Sequence, residues 1–97
     1  MSTVDRLSTL EFTKQVGEYF KIGSDTKVKI IKYSVEDGRF EIKVTVINKK
    51  TQYPFISIGQ NIHLPNSVTI DLMGYSTKTG RIEFRITAPL SVEIKRK

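Results

Sequence analysis

Two stretches of this chain alternate between apolar and polar residues at every position, and few folds can accept that pattern. In RFEIKVTV, Phe40, Ile42, Val44 and Val46 fall on one side and Arg39, Glu41, Lys43 and Thr45 on the other. RIEFRITA repeats it, with Ile82, Phe84, Ile86 and Ala88 against Arg81, Glu83, Arg85 and Thr87. A period of two is that of a strand with one face buried. VTIDLM and LSVEIK extend the pattern through Val68, Ile70 and Leu72, and through Leu90, Val92 and Ile94. YPFISIG reads as a shorter strand whose Pro54 belongs at its start or on a sheet edge. QNIHLPNS reads as the longest loop. Residues 26–96 are therefore expected to form five or six antiparallel strands.

The two alternating stretches belong to a longer near-repeat. Laid over residues 68–88, residues 26–46 match at Tyr33/Tyr75, Ser34/Ser76, Gly38/Gly80, Arg39/Arg81, Glu41/Glu83 and Thr45/Thr87. Duplication and convergence on the same turn chemistry both account for this. A two-residue type I′ turn would force Thr79, a β-branched residue, to positive φ. A three-residue loop needs a left-handed conformation only from Gly80, so Glu36-Asp37-Gly38 and Lys78-Thr79-Gly80 are expected as matching three-residue loops. Register then assigns the faces, because a one-residue slip reverses every side chain. Val28 and Ile30 turn inward beside Val44 and Val46. Outward go Lys27, Lys29, Ile31, Tyr33, Arg39 and Lys43 in one hairpin, and Met73, Tyr75, Arg81 and Arg85 in the other. A two-residue turn would instead bury both tyrosines and turn Val28 and Ile30 out, unless a bulge intervenes.

The N-terminal segment LSTLEFTKQVGEYFKIG carries the signs of a helix over about 8–22. Ser8 and Glu11 have the spacing of a capping box, with Leu7 and Phe12 placed for a hydrophobic staple. Phe12, Val16, Tyr19 and Phe20 fall at i, i+4, i+7 and i+8, and Gly23 can end a helix in the left-handed conformation. Gly17 costs such a helix up to about 1 kcal/mol. The expected fold is thus α+β, a single domain over 1–97 with one N-terminal helix packed on an antiparallel sheet. A small OB-like β-barrel is the alternative.

Ninety-seven residues suit one domain, and 38% hydrophobic with 27% charged residues describe a globular chain. No apolar run reaches the roughly 20 residues a membrane helix needs, and the first residues lack the layout of a secretory signal. A soluble, cytoplasmic protein with no membrane partner is expected. Without cysteine there is neither a disulfide nor a thiolate metal site. His63, the only histidine, has no His, Cys or acidic neighbour at ligand spacing, so no metal and no cofactor is expected. Glu36 and Asp37 lie in a turn, and no glycine-rich phosphate loop joins a strand to a helix. No catalytic set is visible, and the chain is expected not to be an enzyme.

The formal charge of +6 and pI near 9.7 suit a polyanionic partner as well as simple solubility. Tyrosines among Lys and Arg on a sheet face are what single-stranded DNA or RNA would use, bases stacking on rings and cations tracking phosphates. The candidate nucleic-acid-binding residues are Lys27, Lys29, Tyr33, Arg39, Lys43, Tyr75, Arg81 and Arg85. Glu41, Glu83 and Asp71 interrupt that patch, and the terminal Lys95-Arg96-Lys97 reads as a solvated end. The other function class is a structural or adaptor protein, whose edge strand or Ile31/Tyr33/Met73/Tyr75 patch holds a protein partner or a second copy.

Overall fold

The computed structural model describes residues 6–34, 36–64 and 67–95, and within them every regular element is a strand. In chain order these are β1 (Leu7–Lys14), β2 (Tyr19–Ile22), β3 (Thr26–Ser34), β4 (Arg39–Val46), β5 (Phe55–Ser57), β6 (Asn61–Leu64), β7 (Val68–Ser76), β8 (Arg81–Pro89) and β9 (Ile94–Lys95). They form two antiparallel sheets. Sheet I has the order β1-β8-β7-β6, and sheet II the order β5-β4-β3-β2-β9. The inner faces meet in one core that includes Phe20, Val28, Ile30, Phe40 and Ile42 from sheet II and Ile70, Leu72, Ile82, Phe84 and Ile86 from sheet I. Each such side chain contributes about 1.5–3 kcal/mol by leaving water. Among the described residues no helix is long and apolar enough to cross a membrane.

The α+β expectation is overturned in its helix. Residues 8–22 form two strands joined by a turn at 15–18. Gly17 sits at φ +94° and donates its N–H to the Ile30 carbonyl (2.8 Å), a conformation that no right-handed helix contains. The supposed stripe divides accordingly. Phe12 and Phe20 point inward from opposite sheets and meet edge to face, 5.0 Å between centroids, whereas Val16 and Tyr19 are exposed. The capping pair serves strands too: the Ser8 hydroxyl lies 3.4 Å from the Ala88 carbonyl it donates to, and Glu11 faces Arg85 across the ladder. Gly23 has its left-handed φ of +63°, but in the β2–β3 turn. An OB-like barrel is compatible with an all-β chain, although here the strands divide into two sheets. Asn61–Leu64, expected within a loop, is β6, while Pro65 and Asn66 of that expected loop lie outside the described residues.

The near-repeat is a duplication, larger than the sequence reading made it. A shift of 42 residues carries β2 onto β6, β3 onto β7 and β4 onto the first eight residues of β8. The same shift carries Gly17 N–H→Ile30 O onto Gly59 N–H→Leu72 O, and Gln15 N–H→Glu18 Oε1 onto Ser57 N–H→Gln60 Oε1. It also carries the bulge between Ile30 and Lys32 onto the one between Leu72 and Gly74. Hairpins that merely share turn chemistry have no reason to share a bulge and a preceding turn as well.

The halves are exchanged. The strand that opens the first half, β1, pairs with β8 of the second through Thr13↔Glu83 and Lys14↔Ile82. The strand that opens the second half, β5, returns the contact to β4 through Phe55↔Glu41 and Ile56↔Phe40. Pro54 stands where β1 has Phe12; it cannot donate to the ladder, and β5 is correspondingly short.

Candidate nucleic-acid interface

The hairpin loops decide where the tyrosines go, and they are not the expected ones. Ser34 pairs with Arg39 and Ser76 with Arg81, so four positions separate the paired residues of each hairpin, which is closed by Gly38 N–H→Ser34 O (2.9 Å) in one and Gly80 N–H→Ser76 O (2.8 Å) in the other. Both glycines are left-handed, at φ +65° and +70°, as the turn argument requires. Four intervening positions have the parity of two, which turns Tyr33 and Tyr75 inward. The bulges at Ile31 and Met73 then reset the register, so Val28 and Ile30 are buried as well. Each bulge adds one residue to its strand and flips the faces beyond it.

Tyr33 and Tyr75 therefore form no outward platform. They are half-buried, packed on the core, with ring centroids 4.8 Å apart across the two sheets. Tyr33 stacks on Phe40 at 4.4 Å, and Tyr75 meets Phe40 edge to face at 5.3 Å. They are equivalent residues in contact, so the pseudo-twofold relating the halves passes between them. The Ile31/Tyr33/Met73/Tyr75 patch fails for the same reason.

The remaining candidates split between opposite surfaces. Arg81 and Arg85 lie on the outer face of sheet I, where Arg81 donates to the Thr13 hydroxyl (3.2 Å) and Arg85 pairs with Asp71 (3.5 Å). Glu11 and Glu83 on this face border a depression of about 270 Å³, also lined by Phe12, Thr13, Met73 and Phe84. His63, with Nδ1 3.3 Å from the Thr69 hydroxyl, is exposed at its edge strand. Among the described residues no cluster of His and acids is arranged to hold a metal.

Lys27, Lys29, Arg39 and Lys43 lie together on the outer face of sheet II, in registers that the sequence reading did not combine. One row across the strands reads Lys95, Lys21, Lys27, Thr45, and the next reads Tyr19, Lys29, Lys43. Val44↔Gln52 and Glu41↔Phe55 bracket Lys43 and Tyr53, which places Tyr53 at the end of that second row. A third row is Lys32, Glu41, Phe55, in which Lys32 and Glu41 lie 3.7 Å apart. Glu41 is the only acid in these rows. Lys27 Nζ lies 4.2 Å from the Tyr19 ring centroid, and Tyr53 and Phe55 are more than half exposed. Missed from the sequence were Tyr19 and Lys21, assigned to a helix, and Tyr53 and Phe55, assigned to a bare edge strand. Of the terminal Lys95-Arg96-Lys97, Arg96 and Lys97 lie outside the described residues, and Lys95 belongs to the lysine row.

Two features make this face unusual. Lys21 opposes Lys27, and Lys29 opposes Lys43, like charges directly across a ladder, each costing roughly 0.2–1 kcal/mol. The fold does not demand them. At the positions equivalent to Lys29 and Lys43, sheet I has Asp71 and Arg85 in an ion pair; at those of Lys21 and Lys27 it has His63 and Thr69.

No protein family, curated protein or solved structure matches this chain.

Proposed function

We propose that the chain is a non-enzymatic binding module that holds single-stranded nucleic acid on the outer face of sheet II. The observation that carries this reading is the opposed lysine pair Lys29↔Lys43, where the equivalent pair of the other half is Asp71↔Arg85. Opposed ammonium groups repel until an anion lies between them, and a phosphate backbone supplies one at every nucleotide. Lys95, Lys21, Lys27, Lys29 and Lys43 form the electrostatic track, with Tyr19, Tyr53 and Phe55 as rings beside it. The Lys27 contact on Tyr19 does not close that ring to a ligand. An exposed cation–π pair is worth about 0.5–1 kcal/mol, less than the roughly 1–3 kcal/mol of a base stack.

Single strands are favoured over duplexes, because exposed rings on a sheet need unstacked bases. Fluorescence anisotropy with labelled single- and double-stranded oligonucleotides at two salt concentrations tests the reading. With about four phosphates contacted, the slope of log K against log salt for the single strand is about −3. Tyr19→Ala and Tyr53→Ala each weaken that binding roughly 5- to 150-fold. Binding that is indifferent to salt refutes the electrostatic track, and equal affinity for duplex and single strand refutes the stacking.

A further inference from the structure

We infer that β1 is a homodimerisation edge, pairing antiparallel with β1 of a second copy about Leu10. The two open edges that the exchanged halves create are not alike. β5 is preceded by Pro54 and keeps three ladder residues, whereas β1 runs eight residues without interruption and, among the described residues, pairs only with β8. Long regular edges are ordinarily blunted by proline, bulges, shortness or charged side chains. β1 has neither proline nor bulge, its Glu11 faces Arg85 and its Lys14 lies at the last position, which leaves a regular run of uncharged residues from Leu7 to Leu10 as a template for another strand.

Which backbone groups are open follows from the ladder. Arg6 O accepts from Leu90 N–H, and in the other half the positions equivalent to Leu10 and Ile86, Gln52 and Val44, exchange both bonds. Antiparallel ladders alternate, so even-numbered residues of β1 bond to β8. The N–H and C=O groups of Leu7, Thr9, Glu11 and Thr13 then point to the open edge. An antiparallel register centred on Leu10 pairs Leu7 with Thr13 and Thr9 with Glu11 of the second copy, using all four residues. It keeps the two Glu11 side chains out of direct opposition, and each already faces Arg85 on its own β8. A register centred on Glu11 opposes the two carboxylates, and one centred on Thr9 leaves Thr13 outside the strand pairing.

The twofold axis of such a pairing stands normal to the sheet, so sheet I becomes continuous across both copies. Both sheet II faces then lie on one side, side by side. The dimer stands whether or not those faces bind nucleic acid; if they do, one strand can engage both.

Sedimentation equilibrium across a wide concentration range reads the mass, 11.1 kDa for one copy. The expected result is a closed dimer. Thr9→Pro removes an outward N–H while leaving the β8 ladder intact, and raises the dimer dissociation constant roughly tenfold or more, since two bonds are lost per dimer. A folded monomer at all concentrations overturns the inference, and so does open-ended growth. Register is read independently by Leu10→Cys. The chain has no cysteine of its own, and at the non-hydrogen-bonded centre of the pairing the new thiol meets its twin. Oxidation then gives a disulfide-linked dimer, whereas Leu90→Cys, an exposed control, gives none under the same conditions. Equal cross-linking of the two variants, or none of Leu10→Cys, overturns it even if Thr9→Pro fails to fold.

Discussion

Reversing one lysine of sheet II separates a functional surface from a merely soluble one, because the two readings predict opposite balances of stability and binding. Lys29 lies between Tyr19 on β2 and Lys43 on β4. In Lys29→Glu the like-charge pair is lost and an opposite-charge pair with Lys43 takes its place, each change worth roughly 0.2–1 kcal/mol. Lysine and glutamate have similarly poor strand propensity, so that term nearly cancels. The net expectation at low ionic strength is a gain of about 1 kcal/mol, about 4–8 °C in Tm for a domain of this size. Oligonucleotide binding moves the other way. One phosphate contact disappears, which flattens the salt slope by about 0.7, and the new carboxylate repels the backbone as well. Denaturant unfolding and anisotropy on the same preparation measure both. Asp71→Lys on sheet I is the mirror experiment: it breaks the ion pair with Arg85, lowers stability and creates no comparable affinity. If Lys29→Glu destabilises the protein, or leaves affinity and salt slope unchanged, the argument from opposed lysines is wrong.

Two further outcomes follow from the packing. Tyr33→Ala removes the contacts with Phe40 and Tyr75 and costs about 2–3 kcal/mol in thermal or denaturant unfolding, while the folded fraction binds oligonucleotide as before; weakened binding at unchanged stability would restore the outward placement. Gly17→Ala and Gly59→Ala, at φ +94° and +89° with open space around an added Cβ, carry only backbone strain of about 1–2 kcal/mol each, and unequal costs would count against the equivalence of the halves.

The strands β3, β4, β7 and β8 were legible because alternation is a local property that the core enforces directly, whereas β6 was read as loop and the expected strand LSVEIK keeps only Ile94–Lys95, with Leu90 exposed in a turn. The loop glycines were legible too, since only a left-handed position explains Thr79-Gly80. Two further things were not. The segment Leu10 to Ile22 has its inward residues at Leu10, Phe12, Lys14, Phe20 and Ile22, and the intervening turn spaces Phe12 and Phe20 so that Val16 completes a false helical stripe. The one contrary sign was Gly17, and its match with Gly59 appears only when the repeat is extended upstream of residue 26. The bulges at Ile31 and Met73 left no local trace either: a bulge is defined by what its partner strand lacks. Missing them, the reading carried one face through the whole hairpin and placed Tyr33 beside Lys29, when the extra residue puts them on opposite sides of the sheet.

The duplication also supplies what a lone sequence cannot, a comparison between two chains under one set of folding constraints. At inward positions the halves agree in character: Val28 with Ile70, Ile30 with Leu72, Phe40 with Ile82, Ile42 with Phe84, Val44 with Ile86. At outward positions they agree on β4 and β8 at Arg39/Arg81, Glu41/Glu83 and Thr45/Thr87, and part on the neighbouring strands, Tyr19 against Asn61, Lys27 against Thr69, Lys29 against Asp71. A need for solubility acts equally on both outer faces, and sheet I meets it with hydroxyls and a mixed-charge pair that adds no repulsion. Sheet II meets it with opposed ammonium groups at a cost in stability. Drift toward a net charge of +6 would scatter lysines without regard to sheet. Their concentration in adjacent rows beside exposed rings is the pattern on which the proposed polyanion-binding reading rests.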